Sequence, residues 1–244
     1  MRLVVACALS ALLFGQPCFA GVRHFTYLYE APTAPAGAFE LENYATSEWS
    51  GGLSDVSFRN ELEFGITDHL QAGLYVANWN YVPSPENRVR YRSASLEVIY
   101  NLTNPAADPI GVSIYQEVSG GRQRLELETK LIAQKNFGPL ILAYNLTLES
   151  EWEGESLGES AGELQQAIGA SYEISPRLSL GVEMLQETSF PDWQSAGSST
   201  SFFLGPNVSY RSDRWFATVT GLAQATQTGS EPDFQARLIF GVAL

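Results

Sequence analysis

From Gly37 onward, apolar side chains return at every second position, in short runs separated by turn residues. Leu140, Leu142, Tyr144, Leu146 and Leu148 make the cleanest run. Phe39, Leu41 and Ala45 begin the series, and Val56, Phe58, Leu62, Phe64 and Ile66 follow. Phe234, Ala236, Leu238, Phe240, Val242 and Leu244 end it. A period of two is that of a β-strand with one apolar and one polar face. The whole stretch divides into twelve such segments. The phase is least regular over 215–225, where Phe216 and Leu222 sit on the parity opposite to Trp215, Ala217 and Val219.

The connections fall into two alternating sets. Thr67-Asp68-His69, Phe137-Gly138, Ser175-Pro176-Arg177 and Ser212-Asp213-Arg214 carry tight-turn chemistry. The other set includes the longer polar stretches 153–161 and 189–198. The pattern predicts an all-β fold, a single antiparallel up-and-down transmembrane β-barrel of about twelve strands. An even strand number puts both termini at the short-turn end, on the periplasmic side.

Composition narrows the reading. The chain of 244 residues is 45% hydrophobic and 12% aromatic, with a formal net charge of −13. So acidic a chain is unsuited to nucleic acid, which needs clustered Lys and Arg. Arg2, the apolar stretch Leu3–Phe14 and Cys18-Phe19-Ala20 predict an export signal over residues 1–20. Both cysteines lie inside it, so a cleaved chain has no thiol for disulfides or thiolate metal sites. Residues 21–36 precede the first clear strand. Three readings stay open for them: a plug entering the lumen, an extra half-strand, or a loose periplasmic tail. The barrel itself is expected over 37–244.

Alternation does not say which face points outward. Aromatic placement favours lipid on the apolar face: Trp49, Trp79 and Trp152 lie toward the loop end, and Tyr100, Tyr172, Tyr210, Trp215 and Phe240 toward the turn end. Two girdles flanking apolar faces of about ten residues suit the two interfaces of a bilayer. Gly65-Ile66-Thr67-Asp68-His69-Leu70-Gln71-Ala72-Gly73-Leu74 resembles the strand–turn–strand unit of many bacterial outer-membrane channels, and Ser175–Val182 repeats it. Leu204–Tyr210 followed by Arg214-Trp215-Phe216 is similar to the late strands of the phenol-degradation meta-pathway outer-membrane family. The resemblance implies a porin-like barrel in the outer membrane of a Gram-negative bacterium, with small solutes, hydrophobic or aromatic ones among them. It also implies contact with lipid, lipopolysaccharide and the assembly machinery.

With the apolar faces outward, the opposite parity lines the lumen. Its central band is expected to hold Glu42, Tyr44, Glu61, Tyr75, Glu97, Tyr115, Glu128, Lys130, Asn145, Glu183, Asn207 and Arg237, with Glu40, Arg59 and Glu63 beside it. Carboxylates outnumber bases there. A dry lumen cannot hold so many unpaired charges, so the expectation is a wet, cation-preferring pore. The alternative is a non-transporting barrel whose lumen is salt-bridged, with Glu40, Glu42, Arg59 and Arg237 neighbours once the sheet closes. A soluble periplasmic ligand-binding barrel is the remaining alternative. No cofactor, metal site or catalytic residue is expected. His24 precedes the barrel and His69 sits in a turn, so neither supplies an obvious base for a serine nucleophile.

Overall fold

A computed structural model describes residues 21, 23–83 and 87–244. The export signal expected over 1–20 lies outside these residues. Among the described residues the chain forms twelve strands: β1 (Phe39–Trp49), β2 (Leu53–Thr67), β3 (Leu70–Val82), β4 (Arg88–Thr103), β5 (Gly111–Gly121), β6 (Arg124–Phe137), β7 (Leu140–Glu153), β8 (Glu159–Ser175), β9 (Leu178–Pro191), β10 (Ser199–Arg211), β11 (Trp215–Gln224) and β12 (Phe234–Ala243). Each strand pairs antiparallel with its sequence neighbours, and β1 pairs with β12, closing the barrel. Closure leaves no sheet edge exposed. The first strand starts and the last strand ends at the same rim, where Leu244 N donates to Phe39 O at 2.9 Å.

The outward face is apolar along most strands. On β4, Leu96 is 52% exposed while its neighbour Glu97 is 0% exposed. This inverts the arrangement of a soluble protein, whose carboxylates face water. Both aromatic groups expected from the sequence lie on this outer face. Tyr210, Trp215 and Phe240 cluster at the turn end, with ring centroids 5.3 and 6.0 Å apart. At the loop end Trp49 packs on Phe234 and Trp79 stacks on Phe58. Tyr100 and Tyr172 are exposed, and Trp152 is half-buried.

Trp79 reaches that face through a bulge. Tyr75 and Trp79 share parity, so an unbroken β3 would point both the same way. The register of β3 against β2 and β4 shifts between Tyr75 and Asn78. An extra residue there reverses the alternation. Tyr75 therefore points in, Trp79 points out, and Asn78 and Asn80 turn toward the interior.

The irregular phase of β11 resolves in the same terms. Phe216 and Leu222 are fully buried inside the barrel, while Val219 faces out. Ile99, Ile132, Ile141, Leu185, Phe203 and Ile239 join them on the inner face. The interior is therefore not only acidic: part of its wall is apolar.

Candidate functional site

While Phe216 and Ile239 pack on Tyr44 and Tyr75, residues 23–36 cover most of that apolar wall. They enter the barrel from the turn end, cross its middle and return to the same end before β1. Gly37, with φ of 83°, makes the turn into β1, a conformation that glycine adopts without steric penalty. Its N–H donates to Gly65 O at 2.9 Å. Gly65 has no side chain where one would collide: a Cβ there would lie 2.0 Å from Pro35 O. Of the three readings open for residues 21–36, the lumenal one describes residues 23–36.

Buried backbone groups need partners, and wall side chains supply them. Glu183 on β9 accepts from Thr26 N (3.0 Å) and Tyr27 N (2.7 Å). Asn145 on β7 clamps Tyr29 from both sides, accepting from its N at 2.6 Å and donating to its O at 3.0 Å. Gln134 accepts from Ala31 N at 2.9 Å, while Asn101 and Ser113 donate to Ala31 O. Gln71 accepts from Ala34 N at 2.8 Å. Ser209 and Thr218 both donate to Arg23 O. Glu183 also accepts from Asn207 and Thr220, so four neutral residues supply its donors.

The segment's side chains sort by chemistry. Phe25, Tyr27 and Leu28 pack against Ile141, Ala143, Ala167, Leu185, Phe203 and Leu222. Arg23 grips Glu42, with Nε to Oε1 at 3.1 Å and a terminal nitrogen to Oε2 at 2.9 Å, and lies 3.5 Å from Glu63. Tyr44 OH accepts from Arg23 and donates to Glu42. Tyr29 donates to Glu97 at 3.2 Å and lies beneath Arg23 and Lys130. His24 is buried between Glu30 (2.8 Å) and Glu173 (3.5 Å). Burial opposes its charge, but the two carboxylates outweigh burial and raise its pKa above the ordinary 6.5.

The closed register reveals a row of acids. Glu40 pairs across the sheet with Glu63, Glu63 with Gly73, and Gly73 with Glu97. Glu97 then pairs with Glu117, Glu117 with Glu128, Glu128 with Glu149, and Glu149 with Glu163. The carboxylate of Glu61 fills the gap at Gly73, where a Cβ would lie 2.0 Å from Glu61 Oε1. The row climbs from the turn end of β1 to the loop end of β8, following the stagger of a closed barrel. Like charges directly opposite one another are destabilising, and cations are drawn to the row. Arg59 binds Glu117 (2.7 Å), Lys130 binds Glu128 (2.8 Å), and Arg23 reaches Glu63. Arg59 lies over the Tyr75 ring and Lys130 over Tyr115. Among the described residues Glu149 and Glu163 have neither a cation nor a hydrogen-bond donor.

The expected sheet-neighbour pairs differ in detail. Glu42 pairs with Arg23 rather than with Arg59 or Arg237. Arg59 reaches Glu117, and Arg23 holds Glu42. Arg237 donates to Thr46 Oγ1 and Thr26 O and lies over the Tyr27 ring. Glu40 accepts from Gly21 N at 2.7 Å. A lumen wet in part is the expectation from sequence, and the segment fills its middle and brings its own cation. Two carboxylate triads are close enough to hold a metal ion: Glu42, Glu61 and Glu63, and Glu126, Glu149 and Glu151. An arginine sits at each, Arg23 at the first and Arg124 at the second.

Two cavities lie inside the barrel, toward its two ends. The turn-end cavity, about 390 Å³, is bordered by Arg23, His24, Glu30, Glu40, Glu63 and Glu173. The loop-end cavity, about 310 Å³, is bordered by Asp55, Arg59, Asn78, Arg92, Glu117 and Arg124.

Known structures share this architecture. The COG4313 outer membrane channel from Pseudomonas putida F1 superposes with a TM-score of 0.63 at 12% identity, covering 88% of this chain and 98% of that one. The NanC porin follows at 0.55 and 10% identity, covering 84% and 98%. The KdgM porin, in complex with disordered oligogalacturonate, gives 0.53 and 11%, covering 84% and 97%. At these identities the likeness speaks for the fold. No curated protein matches the sequence. A family model matches residues 17–237, and the chain therefore belongs to a family of unknown function, DUF6662.

Proposed function

We propose that the protein is an outer-membrane pore for small solutes, with a cation-preferring lumen restricted at its middle by residues 23–36. The observation that carries this reading is the inverted barrel: apolar side chains outside, and a row of glutamates inside that joins one mouth to the other. An apolar outer band with aromatic girdles fits lipid. A carboxylate-lined passage concentrates cations and repels anions. Both termini then face the periplasm, and lipid and the barrel-assembly machinery are the natural partners. The resemblance to phenol-degradation channels adds aromatic solutes as a candidate class. The proposal is for a pore rather than an enzyme: His69 is exposed in a turn, and His24 is engaged by Glu30 and Glu173.

Planar-bilayer recording of the folded protein tests this. Small cation-selective steps are expected, together with a heat-modifiable band on gels. Absence of any conductance, or anion selectivity, would overturn the pore. The filled middle favours one second reading, a non-transporting barrel, and silent bilayers with a normal heat-modifiable band would support it.

A further inference from the structure

We propose that the lumen is a peptide-binding site, which the chain fills with its own residues 23–36, and that this segment is a displaceable gate rather than a fixed part of the barrel wall. The ligand class is an extended peptide with an arginine two positions before an aromatic residue.

Three observations carry the inference. First, the wall reads backbone. Asn145 takes both the N–H and the C=O of Tyr29, and Glu183 takes two successive N–H groups. Gln134 and Gln71 accept from Ala31 N and Ala34 N. Side-chain amides and carboxylates thus do for this segment what a strand edge does when it recognises an extended peptide. Second, the wall sorts side chains. Arg23 enters an acidic pocket formed by Glu42, Glu63 and Tyr44, and Phe25 enters an apolar one cleared by Gly169. Third, most of the segment's buried backbone bonds go to wall side chains, and among the described residues its covalent link to the sheet is at its exit. There Pro35, Ala36 and Gly37 are exposed and form the single described tether to β1. Such a tether holds a ligand at an effective concentration near millimolar. A gate of this design has modest intrinsic affinity and closes because it is attached. The turn-end cavity of about 390 Å³ is bordered by the segment itself, through Arg23, His24, Tyr29 and Glu30, and widens when it leaves.

The binding half of this proposal stands without the pore reading; the gating half rests on it. The test uses the full chain, with a protease site inserted between Ala36 and Gly37. The protein is folded intact and then cut, so that residues before the site become a free ligand. After dilution, the cut barrel is expected to release the peptide while keeping its heat-modifiable band. A labelled synthetic peptide of residues 23–36 should rebind, as read by fluorescence anisotropy. Peptides carrying Arg23→Gln or Phe25→Ala should bind about tenfold or more weaker, and a scrambled peptide should not compete. Retention of the cut peptide until the barrel itself unfolds would overturn displaceability. Equal binding of the scrambled peptide would overturn the site. In bilayers, cutting should raise conductance and the synthetic peptide should lower it again. Specific rebinding without any conductance would leave the peptide site standing and refute the pore; conductance without specific rebinding would do the reverse.

Discussion

At the scale of single residues, Gly169 on β8 reports how tightly the occupant fits. A Cβ at that position would lie 2.6 Å from Phe25 Cε1, well inside van der Waals contact. The contact is with the segment and not with the sheet. Gly169→Val should therefore expel Phe25 while leaving strand pairing intact. The expected outcome is faster hydrogen exchange of the amides of residues 25–31, with an unchanged heat-modifiable band; unchanged exchange would count against the fit. His24 supplies a second prediction. Its folded pKa is raised, so its contribution to docking is complete below about 6.5 and is lost as pH rises through the folded value. Proteolysis at the Ala36–Gly37 link should accelerate toward alkaline pH, and His24→Gln should flatten that dependence. Neither residue could be interpreted this way from sequence. Gly169 looks like one more small residue in a strand, and His24 lies in a stretch without periodicity. Arg23 was left out of the lumen's charge balance for the same reason, which made the barrel look shorter of bases than it is.

At the scale of strands, the period-two pattern was legible almost throughout. The outward face of β4, with Leu96, Val98 and Tyr100, is the one the alternation indicates. Two features escaped. The bulge in β3 reverses the facing of residues after Tyr75, and a single extra residue leaves no compositional mark. Among the inward apolar residues, Phe216 and Leu222 on β11 registered only as disturbances of phase, and Phe203 on β10 did not register. Phe203 makes sense once Phe25 and Leu28 are known to pack inside the barrel, and Phe216 once it is seen to pack on Tyr44, Tyr75 and Ile239. Facing can be tested on one strand. Leu96→Arg puts a charge on the lipid side and should destabilise the barrel by about 2–4 kcal/mol if the site lies near the bilayer midplane. Glu97→Gln, one position on, keeps a polar group inside beside Tyr75 and Tyr29 and should cost far less. Urea unfolding in lipid vesicles measures both; equal losses would refute the assigned facing.

At the scale of the whole molecule, the acid row is a property of register, which alternation cannot supply. Each strand displays glutamates separately, and only the pairing of β4 through β8 lines up Glu97, Glu117, Glu128, Glu149 and Glu163. Internal cations quieten the lower part of this row: Arg59 sits on Glu117 and Lys130 on Glu128. The loop-end part, Glu149 and Glu163, has no such partner. Charge selectivity should therefore depend on these two more than on the buried acids below them. The double substitution Glu149→Gln, Glu163→Gln should move the reversal potential measured in a salt gradient toward the non-selective value. Glu117→Gln, deeper in the lumen and farther from the loop-end mouth, should do less to it. Screening sharpens the comparison. The Debye length falls from about 10 Å at 0.1 M salt to about 3 Å at 1 M, so the native protein should lose much of its cation preference over that range. The doubly substituted protein has little to lose and should change little. Parallel salt dependence in the two proteins would show that the upper acids do not set selectivity.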